Sequence, residues 1–119
     1  MKPAHDATWS ARPRWRIQRG EEIALGPGKA DLLEAIEQAG SISAAARDLG
    51  MSYRRAWLLV EAMNAMFREP LVATTSWRRG GARLTEAGRA VLALYRRIER
   101  TSAEATHGDL TALLRRLKS

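Results

Sequence analysis

The stretch at positions 40–64, GSISAAARDLGMSYRRAWLLVEAMN, constrains the fold of this chain more than any other part of the sequence. Two short helical runs are separated only by Gly50, Met51 and Ser52. Glycine permits the positive φ that a tight turn between helices needs, and the small residues 44–46 let the next helix cross at close range. Ser52 is placed to cap the second helix. The stretch therefore predicts a helix-turn-helix.

The flanking segments supply the remaining elements of the domain. Alternating apolar and polar residues over 14–25 predict one bent strand or a small hairpin. A helix is expected from about Lys29 to Ala39, and Ser43 is expected to cap the short helix that follows. The next helix should cover about 53–67, and the β-rich residues 71–84 with the turn signal RRGG predict a second hairpin. This order predicts a winged helix-turn-helix, a mainly α fold with a small β component.

A long helix is predicted to follow the hairpin. Thr85 and Glu86 should begin this helix, Gly108 should end it, and Asp109 should cap a last short helix. The stripe expected to pack on the domain consists of Ala87, Val91, Leu94 and Ile98. We therefore divide the chain into a flexible tail (1–13), a winged helix-turn-helix (14–84) and a C-terminal helical dimerisation segment (85–119).

Composition narrows the classes of function. The formal net charge of +7 favours a polyanionic partner, although it also serves solubility. With no cysteine, the chain has neither disulfides nor thiolate metal ligands. His5 and His107 stand apart from any paired carboxylates, so we expect no enzyme, metal site or cofactor, and no effector site is evident. No apolar run suits a signal peptide or a membrane span, which predicts a cytoplasmic protein.

The candidate DNA-binding residues lie on the second helix of the helix-turn-helix and on the second hairpin. Arginine can pair with guanine O6 and N7 or clamp a phosphate, and a hairpin tip can meet phosphates or the minor groove. Trp57 either flanks the DNA backbone or folds back against the first strand. A solvated basic face is the simpler interpretation, but the order of the elements favours DNA. The candidates are Ser52, Tyr53, Arg54, Arg55, Trp57, Arg78, Arg79 and Arg83.

A second apolar face on the long helix, formed by Leu92 and Tyr95, needs a cover. The last segment of the chain offers one, either by folding back within the chain or by packing across a two-fold axis. We favour a homodimer, because two-fold pairing doubles the contact with DNA and predicts a palindromic operator. The dimerisation candidates are Leu92, Tyr95, Leu110, Leu113, Leu114 and Leu117.

Residues 26–64, beginning GPGKADLLEAIEQAG and including GMSYRRAW, resemble the DNA-binding domain of the ModE-type molybdate-responsive regulators. GARLTEAG at 81–88 resembles the segment that leaves the wing, shared more loosely with LysR-type regulators. The resemblance covers roughly residues 15–100. It implies a regulator that binds operator double-stranded DNA as a dimer, often at molybdate-uptake or molybdoenzyme genes. It also places residues 52–55 and Trp57 on the recognition helix.

The sequence departs from this family in two ways. After a helical tail, no room remains before Ser119 for the molybdate-binding domains of full-length relatives, so we expect none here. The wing has less glycine and more arginine than is usual, which favours phosphate contact. Two other functions stay open: a winged-helix module for protein–protein contact, and a basic protein that binds DNA without sequence preference. A regulator binds its operator with much higher affinity than random DNA, whereas a binder without sequence preference does not.

Overall fold

The structure, a computed structural model, describes residues 8–75 and 81–118. Within these residues, four helices and two small antiparallel sheets follow one another in the order expected for a winged helix-turn-helix, which confirms the predicted fold class. The elements are β1 (Ile17–Arg19), β2 (Glu22–Leu25), α1 (Pro27–Ala39), α2 (Ile42–Asp48), α3 (Tyr53–Met66), β3 (Val72–Thr75), β4 (Gly81–Leu84) and α4 (Glu86–Leu114).

The core lies where α1, α2 and α3 pack together. Each of these helices turns one apolar stripe inwards, and fully burying a leucine or isoleucine side chain contributes about 1.5–3 kcal/mol. Ala45 and Ala46 of α2 and Ala56 of α3 are almost fully buried, so the two helices of the helix-turn-helix cross at close range as expected. The buried side chains of these helices include Leu32, Leu33, Ile36, Ile42, Ala45, Ala46, Ala56, Val60 and Met63.

The second hairpin, which forms the wing, is tied to the end of α1. Strands β3 and β4 pair in register from Val72 opposite Leu84 to Thr75 opposite Gly81. The Ala82 amide donates to the Gly40 carbonyl at 3.0 Å, and the Leu84 amide donates to Oε1 of Glu37 at 3.1 Å. The wing strands are therefore held at their base by α1.

Two helix starts differ from the predictions. Helix α1 begins at Pro27 rather than Lys29, because proline is well suited to the first helical position. Helix α2 is capped by Ser41 rather than Ser43, since the Ser41 hydroxyl accepts from the Ala44 amide at 3.0 Å. The earlier start also brings Ile42 into the helix, where its side chain is buried.

Helix α4 departs most from the prediction, because it runs through Gly108 without a break. A glycine inside a helix costs only about 1 kcal/mol relative to alanine, which the rest of a long helix can absorb. The described residues after Gly108 continue α4 to Leu114, so they cannot fold back on it. We expected the second apolar face of α4 to be covered either by residues 109–117 of the same chain or by a partner. The first of these two alternatives is therefore wrong.

The face of α4 that packs on the domain matches the predicted one only in part. Ala87 and Val91 pack against the core as expected, and Leu92, which was predicted to serve dimerisation, packs there as well.

The other two residues of the predicted stripe do not pack on the domain. Gly88 and Tyr95 are buried, whereas Leu94 and Ile98 are 54% and 40% exposed. A Cβ built on Gly88 would lie 2.1 Å from the Leu71 carbonyl oxygen, so the helix approaches the residue before β3 more closely than any side chain would allow. This contact fixes the rotation of α4. Tyr95 therefore belongs to the core of the protomer, and its predicted role in dimerisation is corrected.

Polar contacts extend this packing along α4. Arg96 forms ion pairs with Asp31 and Glu34 of α1 and with Glu99, at 2.8 to 2.9 Å. Burial lowers the pKa of Arg96, but its hydrogen bonds to these three carboxylates outweigh that effect and raise the pKa overall. The guanidinium therefore stays charged and joins α4 to α1.

The segment before β1 lies along α4. The Tyr95 hydroxyl donates to the Trp15 carbonyl at 2.8 Å, and the Trp15 indole N–H donates to the Ser102 hydroxyl at 2.9 Å. Farther along, the Trp9 indole N–H donates to the Lys118 carbonyl at 2.7 Å. Within the described part of the predicted tail, Trp9 thus contacts the chain just after the long helix. Among the described residues, none of the helices combines the length and the apolar character needed to cross a bilayer.

We predict that Gly88→Ala destabilises the protein by about 3 kcal/mol or more, because the added methyl group would collide with the Leu71 backbone. Gly108→Ala is the matched control on the same helix, since its Cβ would meet nothing within 4 Å. The free energy of unfolding of this control should rise by up to about 1 kcal/mol, because alanine has a higher helix propensity than glycine. Urea unfolding would measure both, and equal stabilities for the two variants would contradict the close contact at Gly88.

Candidate nucleic-acid interface

The start of α3 is built by the tight turn that follows α2. Gly50 has a φ of +70°, and the Met51 amide donates to the Ala46 carbonyl at 2.9 Å. The Ser52 hydroxyl then accepts from the Arg55 amide at 3.1 Å, which confirms the predicted cap. Met51 is partly buried against the core beneath the turn. These local contacts fix the direction in which the first turn of α3 leaves the domain.

The predicted recognition-helix residues share one exposed end of α3. Ala56, Val60 and Met63 hold the opposite side of the helix in the core, so the first turn is turned towards solvent. Exposure is 48% for Tyr53 and 39% for Trp57. The structure therefore brings Ser52, Tyr53, Arg54, Arg55 and Trp57 together on the surface.

The charges at this end of α3 are available to a ligand. Within the described part of the chain, neither Arg54 nor Arg55 forms an ion pair with a carboxylate. An unpaired guanidinium can give up contact with water for a charge-assisted hydrogen bond to phosphate or to a guanine edge. Arg96, by contrast, has three carboxylate partners and serves the fold.

The wing contributes Arg83, which is exposed on β4 between the buried residues Ala82 and Leu84. Alternation along the strand points its side chain away from the core. The other two wing candidates, Arg78 and Arg79, lie outside the described residues. The part of the wing that the structure describes thus offers one arginine to a polyanion.

Asn64 joins α3 to the wing, a role that the sequence did not reveal. Its Oδ1 accepts from the Leu71 amide at 2.8 Å and from the Val72 amide at 3.1 Å, and its Nδ2 donates to the Val72 carbonyl at 3.0 Å. One partly buried amide thereby holds the start of β3 against the last turns of α3. An asparagine near a helix end carries no local signal for such a bridge.

The predicted site also omitted Leu58, although it faces outwards. Its side chain is 47% exposed, and it lies beside Arg54 and Arg55 in a shallow depression of about 320 Å³. Ser52 and Leu59 complete the lining. Helical spacing could have found Leu58, because it stands one turn after Arg54 and away from the buried stripe.

Comparison with known proteins places this geometry in a family. The family described as bacterial regulatory helix-turn-helix protein, lysR family, matches residues 29–89. That range runs from the start of α1 into α4, so it includes the helix-turn-helix and the wing.

Curated relatives are similar over most of this chain. The molybdenum transport protein ModE of Azotobacter vinelandii is 40% identical over 109 residues, which is 81% of this chain and 40% of that protein. The molybdenum-pterin-binding protein MopA of Rhodobacter capsulatus is 44% identical over 70% of this chain and 32% of its own length. The DNA-binding transcriptional dual regulator ModE of Escherichia coli is 38% identical over 63% of this chain and 29% of its own length. The chain thus spans two fifths or less of these relatives.

Solved structures share the fold. The crystal structure of the CbnR_DBD–DNA complex matches with a TM-score of 0.59 at 26% identity, covering 72% of this chain and 95% of that chain. Full-length CbnR complexed with its target DNA matches with a TM-score of 0.55 at 27% identity, covering 71% of this chain and 28% of that one.

We predict that Asn64→Ala destabilises the protein by about 1–3 kcal/mol, because the Leu71 and Val72 amides lose their acceptor. Gln38→Ala is the matched control. It removes an exposed amide from α1 and should hardly change the free energy of unfolding. Chemical denaturation would give both values. If Asn64→Ala unfolded at the same denaturant concentration as Gln38→Ala, the bridge would contribute nothing to stability.

Proposed function

Because this chain belongs to the lysR family of bacterial regulatory helix-turn-helix proteins, we propose that it is a sequence-specific DNA-binding regulator of transcription. The observation that carries this proposal is the start of α3, where a capped helix presents exposed Tyr53, Arg54 and Arg55. In helix-turn-helix proteins this end of the second helix enters the major groove. The similar fold of CbnR in its DNA complexes supports the same docking.

Each part of the surface has a proposed role. Arg54 or Arg55 reads a base edge, and Ser52 sets the direction of the helix through its cap. Tyr53 and Trp57 contact the sugar-phosphate backbone at the edges of the groove. Arg83 contacts phosphate, together with the arginines of the wing tip, and so positions the domain rather than selecting a sequence.

The proposed homodimer uses α4, but through another face than the sequence suggested. Leu94 and Ile98 are exposed and lie one turn apart, whereas Tyr95 is buried within the protomer. Towards its end, α4 also exposes Leu113, and Leu117 follows with 40% exposure. Packing against a second copy would cover such apolar side chains. A two-fold dimer would then place its recognition helices on a palindromic operator, with half-sites about one helical turn apart or a multiple of it.

The names of the relatives support molybdenum-related genes as the targets. We propose that the protein occupies the promoters of such genes in the cytoplasm. Genome-wide DNA occupancy, measured with and without molybdate, would test this target class. Binding distributed evenly over the chromosome would instead favour the basic protein without sequence preference, and absence from DNA would favour the protein–protein module.

We predict that Arg54→Ala or Arg55→Ala weakens operator binding by about 1–3 kcal/mol and relaxes one operator position, because a bidentate base contact is lost. Arg83→Ala is the charge-matched control. It should weaken binding evenly across sequences and lower the salt slope by about 1. Binding measured on operator and random DNA over a series of salt concentrations separates these effects. Unchanged sequence preference in both α3 variants would refute the assignment of base reading to these arginines.

We predict that Leu94→Glu yields a folded monomer, because a carboxylate would be buried without a partner at the proposed dimer face. Ala93→Glu adds the same charge at an exposed position on another side of α4 and should leave the dimer intact. Sedimentation at micromolar concentration would distinguish the two, with circular dichroism as the check on folding. A wild-type protein that remains monomeric both free and on DNA would overturn the dimer.

A further inference from the structure

The outward face of α3 holds a large aliphatic side chain whose presence the fold does not explain. Leu58 is 47% exposed and carries no polar atom, yet it lies beside Arg54 and Arg55 on the side of α3 proposed to enter the major groove. The core-facing stripe of α3 is completed by Ala56, Val60 and Met63, so Leu58 is not needed there. An exposed leucine keeps about 50 Å² or more of apolar surface in water, and it gains free energy only if a ligand covers that surface.

The neighbours of Leu58 indicate the chemistry of that ligand. Arg54 precedes it by one helical turn, and Arg55 shares the same shallow depression of about 320 Å³. Leu59 provides further apolar lining, and Ser52 closes one end. The depression therefore combines an apolar surface with guanidinium groups at its edge. A ligand that fits it presents an apolar group close to hydrogen-bond acceptors.

Among the edges of the four base pairs in the major groove, only that of thymine carries an apolar group, the C5-methyl. Guanine presents the two acceptors that suit arginine. We propose that Leu58 is a specificity-determining residue that contacts a thymine methyl group in each operator half-site. This inference rests on the proposed function, because it requires α3 to enter the major groove.

The helix also sets the distance between the two contacts. Residues four apart on a helix are separated by about 6 Å along its axis, which is close to the length of two base-pair steps. When Arg54 reads a guanine, Leu58 therefore lies over a base pair one or two steps away. The operator half-site should contain a guanine and a thymine at this spacing, with the thymine recognised through its methyl group.

The test begins with sequences selected by the wild-type protein from random duplex DNA. Each thymine of the selected half-site is then replaced in turn by deoxyuridine, which removes only the methyl group. Losing one buried methyl contact should weaken wild-type binding about three- to fivefold at one thymine per half-site and leave the other positions unchanged. Wild-type binding that is insensitive to deoxyuridine at every thymine would overturn the proposal.

Leu58→Ala should bind the thymine operator more weakly and should no longer distinguish thymine from deoxyuridine at the sensitive position. Leu58→Met keeps a large apolar side chain and should retain the distinction, which makes it the matched control. Leu58→Ala that remains sensitive at the same position would assign the methyl contact to another residue and refute the inference. Circular dichroism of both variants is the check on folding. Both should be folded, because Leu58 is exposed and its replacement should leave the core intact.

The same experiment separates this inference from the proposed function. If random DNA yields no enriched sequence, the sequence-specific regulator itself is refuted. If enrichment is found but Leu58→Ala selects the same thymine with unchanged methyl sensitivity, only the role of Leu58 is refuted.

Discussion

The backbone of Leu71 is the point through which α3, the wing and α4 are fixed to one another. Its amide donates to Asn64 of α3, and its carbonyl accepts from the Thr85 amide at 2.9 Å. The same carbonyl lies against Gly88, so close that no side chain would fit between them. Thr85 adds a second link, because its hydroxyl donates to the Pro70 carbonyl and accepts from the Gly88 amide. One short segment thus sets the position of every element proposed to meet DNA or a second copy.

This arrangement makes the proposed DNA contact and the proposed dimer contact depend on the same packing. The approach of Gly88 to Leu71 turns Tyr95 into the core and leaves Leu94 and Ile98 at the surface. Arg96 reinforces that rotation through its carboxylate partners on α1. In a dimer built on α4, the distance between the two recognition helices would follow from this rigid connection. Half-site spacing would then be a property of the core rather than of a flexible linker.

Local signals in the sequence were sufficient for the turn of the helix-turn-helix and for the starts of α3 and α4, because the turn glycine and the capping residues Ser52 and Thr85 act on their immediate neighbours. Alternation over 14–25 left one bent strand or a small hairpin open, and the structure has the hairpin, whereas the β-rich residues and the turn signal were sufficient for the second hairpin. The orientation of α4 could not be predicted, since the helix carries apolar residues on two sides and a tertiary contact at Gly88 selects between them. The Asn64 bridge is likewise a contact between two elements, α3 and the start of β3, and no local pattern signals it. Of the interface, the exposed first turn of α3 was predictable. Leu58 falls on the outward face of α3 by its spacing, but a side chain without polar atoms was not selected as a DNA contact.

Trp15 links the beginning of the described chain to α4, and Trp9 links it to the residues just after α4. Chain ends normally fray independently, because few contacts hold them. Here the segment before β1 is hydrogen-bonded to Ser102 and, farther along, to the Lys118 carbonyl. Loosening the last turns of α4 therefore also releases the beginning of the described chain. The two ends would behave as one cooperative unit in hydrogen exchange, with protection that rises and falls together.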